Sequence, residues 1–230
     1  MDEKNISVAI IIPVLNEESA IGKVIEQVPS SYRNGIIVVD NGSTDRTSSI
    51  LETLDVKYVV EQRRGYGSAC LKALSLVPKD TRIIVFMDGD NSEDPTYIKE
   101  LLRPIIEGRA DFVLGARVPE LREKDALGLA QRFGNVLVTT MIRLFYGYTY
   151  QDMGPFRAIG YGPLQSFQMQ DKNYGWNVEM QLKALKHRLR IMEVPVPYRK
   201  RIGKSKISGT FLGVLQAGTK MLYSVWKYGF

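Results

Sequence analysis

The sequence predicts an α/β protein whose mostly parallel β-sheet is covered by helices on both faces. Through the first half of the chain, continuous apolar runs alternate with segments in which apolar residues recur at helical spacing. Continuous apolar runs are typical of parallel strands, because both faces of such a sheet are buried. Polar residues follow several of the runs directly, at the carboxyl ends of strands, where parallel sheets bind their ligands.

The elements of the first half follow one another in a regular order. The apolar runs predict five strands, which are Val8–Val14, Ile36–Val39, Val56–Val60, Ile83–Met87 and Phe112–Gly115. Apolar residues at helical spacing predict the intervening helices, which begin near Ile21, Asp45, Gly67 and Pro95. We expect Ser43 or Thr44 to cap the second helix, and Asp94 to cap the fourth, where proline occupies the first helical position.

The second half has a less regular pattern. It predicts helices over residues 126–146 and 177–186, separated by a segment at 152–159 that glycine and proline interrupt. The run 190–198 predicts a strand, which Pro195 and Pro197 place at an edge of the sheet, because proline cannot donate a ladder hydrogen bond. The tail, residues 211–230, is amphipathic and predicts a C-terminal helix.

Composition narrows the class of protein. The chain has 230 residues, of which 44% are hydrophobic, so it is long enough for one substantial core. One cysteine and one histidine exclude an internal disulfide framework and a multi-histidine metal site. No uncharged apolar stretch approaches the roughly 18–20 residues that span a bilayer, and the charged first residues do not form a secretory signal. We therefore expect a cytoplasmic protein that can lie on the cytoplasmic face of a membrane.

Basic residues are concentrated towards the end of the chain. The net charge is +6, and Gln181–Lys206 contains nine Lys or Arg residues against one acid, Glu193. This window favours an anionic partner, although a solvated helix face and loop would have the same pattern. It lacks interleaved exposed aromatic residues and lies beside an apolar tail, so we expect no nucleic-acid partner. The amphipathic tail beside it fits a membrane-surface helix and equally a helix that completes the soluble core.

Paired acids at the end of the fourth strand predict a metal site. Asp88 and Asp90 flank a glycine, and residues two apart on an extended chain point to the same side. Unit charges about 4 Å apart repel by roughly 4 kcal/mol at an effective dielectric of about 20, and a divalent cation removes that cost. Oxygen ligands suit Mg²⁺ or Mn²⁺, which usually share their coordination with substrate phosphates. A solvated turn capped by Asp88 is the alternative.

Two other strand ends carry polar groups that could meet a nucleotide. Asp40 ends the second strand and could accept hydrogen bonds from ribose hydroxyls or from a base N–H group. A turn with a helix cap is the alternative there, and Asn16, before Glu17, could likewise cap the first helix.

Four stretches, taken together, resemble family 2 glycosyltransferases of the GT-A fold. They are Ile11–Glu17, Val38–Asp45, Arg64–Ala69 and Asp88–Pro95. The resemblance implies a UDP- or GDP-sugar donor whose base meets Asp40, in a nucleotide pocket lined by Pro13 and Glu17. The implied set of donor-binding residues is Pro13, Asn16, Glu17, Asp40, Asn41, Asp45, Arg64, Gly65, Asp88 and Gly89.

The resemblance also implies a metal on the donor diphosphate. Asp88 and Asp90 would bind Mg²⁺ or Mn²⁺. Related synthases often have glutamine two residues after the second acid, where this chain has Ser92, so Ser92, Glu93 or water would be the third ligand.

Further stretches narrow the resemblance to polyprenyl- or dolichyl-phosphate sugar synthases. They are Gly115–Arg117, Gln131–Asn135, Gln151–Ala158 and Arg201–Lys206. The resemblance implies a polyprenyl-phosphate acceptor at a membrane surface. The implied acceptor-phosphate residues are Arg117, Arg132, Arg157, Arg201, Lys204 and Lys206, and the implied catalytic residues are Asp90, Arg117, Arg132 and Asp152. One domain would then contain a nucleotide-sugar-binding half (1–115), an acceptor-side half (116–206) and a C-terminal helix (207–230).

The acceptor decides whether the reaction needs a base. A phosphate monoester is mostly ionised near neutral pH, so a lipid phosphate needs none, and in-line attack on the donor would invert the sugar carbon. The alternative is a family 2 transferase that acts on a sugar or a small hydroxylated molecule, with Asp152 or Glu179 as its base. A non-catalytic nucleotide-sugar-binding protein is a third hypothesis, against which the two intact acids argue.

Overall fold

A computed structural model describes residues 6–203 and 223–228. The strands are β1 (Val8–Val14), β2 (Ile36–Asp40), β3 (Lys57–Val60), β4 (Ile83–Phe86), β5 (Phe112–Ala116), β6 (Arg157–Gly160) and β7 (Ile191–Pro195). The helices are α1 (Ile21–Gln27), α2 (Thr47–Thr53), α3 (Tyr66–Leu74), α4 (Ile98–Ile106), α5 (Leu129–Tyr146), α6 (Tyr161–Phe167) and α7 (Trp176–Lys186). All seven strands form one sheet, in the order β3-β2-β1-β4-β6-β5-β7.

The first four strands form the predicted parallel sheet. β1 pairs in parallel with β2 and with β4, and β2 pairs in parallel with β3. Alternate residues of β1 face opposite sides, so that Ile11 lies in one buried cluster and Ile10 and Ile12 in the other. Both faces of the sheet are therefore buried, which explains the continuous apolar runs. The carboxyl ends of β1, β2 and β4 meet at one edge, where the candidate site lies.

β6 was not predicted as a strand. It lies antiparallel between β4 and β5, inside the segment that we expected to be irregular. β6 has only four residues and carries a buried arginine, Arg157, so it has no apolar run to mark it. β7 pairs in parallel with β5 and forms the edge of the sheet, as its prolines predicted.

The predicted helix caps were partly correct. Asp94 accepts a hydrogen bond from the Thr96 N–H at the start of a short 3₁₀ helix, Pro95–Tyr97, which leads into α4. The cap of the second helix was wrong, because α2 begins at Thr47 and the Asp45 side chain accepts the Thr47 N–H (2.9 Å). Ser43 instead donates to Asp40.

The structure also describes two helices predicted in the second half, α5 and part of the C-terminal tail. α5 begins at Leu129, three residues later than predicted. Of the predicted C-terminal helix, residues 223–228 are helical, and the remainder of 207–230 lies outside the described residues. In the part of the chain that the structure describes, no helix combines the length and apolar character needed to cross a membrane.

Candidate active site

The loops after β1, β2 and β3 are joined by hydrogen bonds. Asn16, whose φ is +53°, accepts the Thr44 N–H at its Oδ1 (2.7 Å), and its own N–H donates to the Ser43 hydroxyl (2.8 Å). Asn16 therefore links two loops, and it does not cap α1, which begins at Ile21. The Glu17 N–H donates to the hydroxyl of Thr47 (2.8 Å). These bonds bring the predicted donor-binding residues of β1 and β2 together.

Three of the predicted donor-binding residues are engaged within the protein. Asp40 accepts hydrogen bonds from the Ser43 N–H and hydroxyl, and from the Ser48 hydroxyl. The Asn41 amide donates to the carbonyls of residues 61 and 63 and accepts the Gly65 N–H (2.7 Å). Asp45 holds Thr47 and Glu18. Asn41 and Asp45 thus position the loops, and their direct contact with the nucleotide stays a prediction.

The other residues on the donor side lie along the same edge of the sheet. Pro13 is buried in β1, opposite Val39. The Arg64 guanidinium lies beside Gly42, since a Cβ there would be 3.6 Å from its Cζ. Gly65 has a φ of +133°, and a Cβ at this position would lie 2.0 Å from the Lys172 carbonyl oxygen. Gly65 is thus required where α3 begins against another loop.

The paired acids are held in place by their own loop. The Glu93 Oε2 accepts the Asp88 N–H (2.8 Å), and Asp90 Oδ1 accepts both the N–H (2.9 Å) and the hydroxyl (2.6 Å) of Ser92. Gly89 is necessary between them, because a Cβ would lie 2.5 Å from Val14 Cγ1. Burial, and then the negative charge of Asp90, raise the pKa of Asp88 to about 7. Ser92, the candidate metal ligand, thus donates its hydroxyl hydrogen to Asp90.

An arginine lies against these acids. Arg201 Nη2 contacts Glu17 Oε1 at 2.7 Å, and its Nη1 contacts Asp90 Oδ2 at 3.2 Å. The loop that carries it, residues 199–203, is fixed by hydrogen bonds from the Arg199 N–H to the Ser92 carbonyl (2.7 Å) and from the Ile202 N–H to the Asp90 carbonyl (2.9 Å). Arg201, predicted to bind the acceptor phosphate, therefore bridges two acids of the donor side.

The acids fit a divalent cation that shares its ligands with a substrate. Their oxygens are the ligands that Mg²⁺ and Mn²⁺ prefer, and the guanidinium of Arg201 shows that this position stabilises positive charge. Among residues 6–203 and 223–228, no group of three or more His, Cys, Asp or Glu side chains is arranged to hold a metal alone. Two carboxylates completed by phosphate oxygens and water remain a suitable donor set.

The acceptor side centres on a buried ion pair. Arg117, which follows β5, donates from Nε and Nη2 to the two Asp152 oxygens at 2.6 and 2.8 Å. Although burial opposes it, the Arg117 charge holds the pKa of Asp152 below its ordinary value. Such a carboxylate is a poor general base at neutral pH. Asp152 instead orients the Arg117 guanidinium. It therefore belongs to the acceptor side through its contact with Arg117.

Tyr198 joins the two sides and was missed by the sequence analysis. Its ring lies under the Arg117 guanidinium, 5.0 Å from Cζ to the ring centroid. Its backbone is bridged to that of Glu93, and the next N–H, that of Arg199, donates to the Ser92 carbonyl (2.7 Å). Arg117 therefore lies beside the loop of the paired acids, and Arg201 contacts Asp90 directly, so the acids and the arginines share one site. No local sequence pattern marks Tyr198, since its contacts are distant in sequence.

Of the other residues predicted to bind the acceptor phosphate, Arg132 is exposed near the site, and two lysines lie outside the described residues. Arg132 is exposed on the first turn of α5, and its Nε donates to the Leu127 carbonyl (2.9 Å). Nearby, the Asn135 Oδ1 accepts the Met153 N–H (2.8 Å), which places this end of α5 beside the Asp152 loop. Lys204 and Lys206 lie outside the described residues.

Burial argues against two of the predicted roles. Arg157 is fully buried and donates to the carbonyls of Gly154 and Asn177, so its guanidinium is not exposed to an acceptor phosphate in this structure. Glu179, the alternative base, is also fully buried. Its oxygens accept the N–H groups of residues 170 and 171 and pair with Lys183 (2.6 Å). Both residues stabilise the fold.

Comparisons with known proteins identify the family. The model of Glycosyl transferase family 2 matches residues 9–172, and the chain belongs to this family. The predicted glycosyltransferase activity is thereby confirmed at the level of the enzyme class.

Two related sequences agree with this assignment. An uncharacterized glycosyltransferase of Mycobacterium tuberculosis is 31% identical over 96% of this chain and 97% of that protein. The UDP-N-acetylglucosamine–dolichyl-phosphate N-acetylglucosaminyltransferase of Methanococcus voltae is 28% identical over 81% of this chain and 83% of that protein.

The fold matches glucosyl-3-phosphoglycerate synthase of M. tuberculosis, solved with Mn²⁺, UDP-glucose and phosphoglyceric acid. The TM-score is 0.78 at 20% identity, over 97% of this chain and 80% of that chain. The predicted GT-A fold is confirmed.

Proposed function

We propose that this chain transfers a hexose from a UDP- or GDP-sugar to a polyprenyl phosphate at a membrane surface, with Mg²⁺ or Mn²⁺ at Asp88 and Asp90. The observation that carries the proposal is an acidic cluster and a pre-oriented arginine in one site, since Arg117, held by Asp152, lies over the ring of Tyr198, which is bridged to Glu93 in the loop of the acids. The similarity to the dolichyl-phosphate transferase of M. voltae supports a lipid phosphate acceptor.

On the donor side, a metal bound to Asp88 and Asp90 would supply positive charge to the departing nucleoside diphosphate. Glu93 and Ser92 hold these two acids in position through the hydrogen bonds to Asp88 and Asp90. The loops that Asn41 and Asp45 fix would surround the nucleotide, with Asp40, Arg64 and Gly65 at its edge.

On the acceptor side, Asp152 presents the Arg117 guanidinium in a fixed orientation. Arginine suits phosphate because its planar donors match two oxygens at once. The exposed Arg132 would approach the same phosphate from the start of α5. An ionised phosphate oxygen attacks the sugar carbon opposite the leaving diphosphate and inverts it, and no protein group has to remove a proton.

The engaged carboxylates argue against the alternative acceptor. A sugar hydroxyl would need a base, whereas Asp152 is paired with Arg117 and Glu179 is buried.

Transfer from a panel of labelled UDP- and GDP-sugars tests the proposal. The acceptors are polyprenyl phosphate, 3-phosphoglycerate and free sugars, each with Mg²⁺ or Mn²⁺ and with EDTA. We expect transfer to polyprenyl phosphate alone, its loss in EDTA, and a product whose anomeric configuration by NMR is opposite to that of the donor. Transfer confined to the small acceptors, or activity that persists in EDTA, would contradict the proposal.

A further inference from the structure

The outward face of α5 exposes large apolar side chains from its first turn to its last. Its exposed residues Leu129, Phe133, Val136 and Leu144, here called the α5 stripe, share one side because their spacings match the helical period. Leu129 is 82% exposed, Phe133 70%, Val136 61% and Leu144 75%. Thr140 lies on the same side, between Val136 and Leu144. Four large apolar side chains exposed along one side of a helix are unusual on a soluble monomer and indicate an interaction surface.

The opposite face of α5 already supplies the contacts that hold the helix on the protein. Val138 and Ile142 are buried there. α4 has the composition expected of a surface helix, because its outward positions are Lys99, Glu100 and Arg103. α5 is apolar on both sides, so its stripe is not needed for packing against the core.

The charges of α5 indicate the kind of surface that the stripe contacts. The helix contains no acidic residue, and its charged residues, Arg132 and Arg143, are both exposed and lie near its two ends. Apolar side chains flanked only by basic ones match a bilayer surface with anionic headgroups. A second copy packed stripe to stripe would bring arginines together without an acid on either helix, which is unfavourable.

The position of α5 connects this surface to the active site. Asn135 binds the backbone of Met153 and so holds the start of the helix beside the Asp152 loop. We propose that the α5 stripe docks on an anionic membrane surface and holds the acceptor side of the site against the bilayer. The purpose of this docking rests on the proposed function, since a polyprenyl phosphate has to enter the site from a membrane.

Fluorescent labelling of Phe133→Cys tests the docking without any substrate. Cys70, the native cysteine, is fully buried, so a thiol-reactive, environment-sensitive dye will label position 133 selectively. On addition of vesicles of phosphatidylglycerol and phosphatidylcholine, we expect the emission to rise and shift to the blue. Val60→Cys, at the other edge of the sheet, is the matched control and should not respond. An emission spectrum that does not change on addition of vesicles would overturn the proposal. A spectrum that is already blue-shifted without vesicles would do so too, because another segment or a second copy would then cover the stripe.

Loss of the stripe gives a second, independent measurement. We expect Phe133→Ser with Leu144→Ser to weaken binding to these vesicles by about tenfold or more, with an unchanged melting temperature because both side chains are exposed. Arg143→Gln should weaken binding by about fivefold, and only to anionic vesicles. Val60→Ser should bind as the wild-type chain does, and equal binding by the Phe133–Leu144 double variant would overturn the proposal.

Two acceptors separate a failure of the docking from a failure of the proposed function. With a short, water-soluble prenyl phosphate, the wild-type chain and the double variant should transfer sugar equally well, whereas the variant should be slower with an acceptor embedded in vesicles. Equal rates in vesicles would overturn the docking alone. If the wild-type chain uses neither prenyl phosphate, the proposed function fails, and the vesicle-binding measurements still decide the docking.

Discussion

The donor and acceptor sides of the site are built in different ways. On the donor side, short loops after β1, β2 and β4 fix carboxylates by hydrogen bonds to nearby residues, such as Ser43 to Asp40 and Ser92 to Asp90. On the acceptor side, Arg117 is held by Asp152 from 35 residues away. Arg201, from the same half of the chain, reaches Glu17 on the donor side across 184 residues. The acids are therefore preorganised locally, whereas the arginines are placed by tertiary contacts and balanced by carboxylates.

The largest expected effect is the loss of a donor-side acid. Asp88→Ala or Asp90→Ala should slow transfer by about 100-fold or more, because the leaving diphosphate would lose its metal site. Asp80→Ala, at an exposed aspartate, is the control. The rate of sugar transfer at saturating metal measures the effect. Variants at 88 and 90 that are as active as the control would remove the donor-side assignment.

Substitution of two arginines compares a buried with an exposed residue of the acceptor side. Arg117→Gln and Arg132→Gln should each slow transfer by about 10- to 100-fold, because each removes charge-assisted hydrogen bonds to phosphate. Arg117→Gln should also lower the free energy of unfolding by about 3 kcal/mol, since it leaves Asp152 buried without its partner. Arg132→Gln should change it by less than about 0.5 kcal/mol.

Urea unfolding and transfer rates of the two variants measure this contrast. If Arg132→Gln destabilises the fold as much as Arg117→Gln does, the distinction between the two arginines is wrong.

The contact of Arg201 with the acids predicts a competition with metal. In the substrate-free protein, Arg201→Gln should bind Mn²⁺ about tenfold more tightly, because the metal no longer displaces a guanidinium from Glu17 and Asp90. Arg201→Lys, which keeps the charge, is the matched control and should lie nearer the wild-type affinity. Calorimetry or the EPR signal of free Mn²⁺ reports the affinity. An unchanged or weaker affinity in Arg201→Gln would show that the arginine does not occupy the cation position.

The smallest effect concerns acid stability. The pKa of Asp152 is lowered in the folded protein, so its pairing stabilises the fold above the ordinary carboxyl pKa of about 3.9 and is lost as the pH falls below it. The stability difference between the wild-type chain and Asp152→Asn should therefore be constant from neutral pH to about 5 and shrink at lower pH. Urea midpoints across this range measure it, and a difference that grows on acidification contradicts the assignment.

The sequence predicted the donor side better than the acceptor side because the former depends on local chemistry. Five strands were found from apolar runs, and the strand ends carried the acids that meet at the edge of the sheet. Burial of Arg157 and Glu179 could not be predicted, because both are charged residues whose burial depends in part on groups of other elements, Asn177 for Arg157 and residues 170 and 171 for Glu179. The roles of Tyr198 and Arg201 likewise depend on the 199–203 loop returning to β4, and no periodicity encodes that return.

Diffraction from crystals grown with Mn²⁺ and a nucleoside diphosphate tests the central claim most directly. Anomalous scattering locates the metal independently of the phosphates. The account predicts one Mn²⁺ peak between Asp88, Asp90 and the diphosphate, with Arg201 moved away from Glu17 and with Arg117 facing the open side of the sugar site. A peak at another position, or a diphosphate bound with Arg201 still between Glu17 and Asp90, would contradict it.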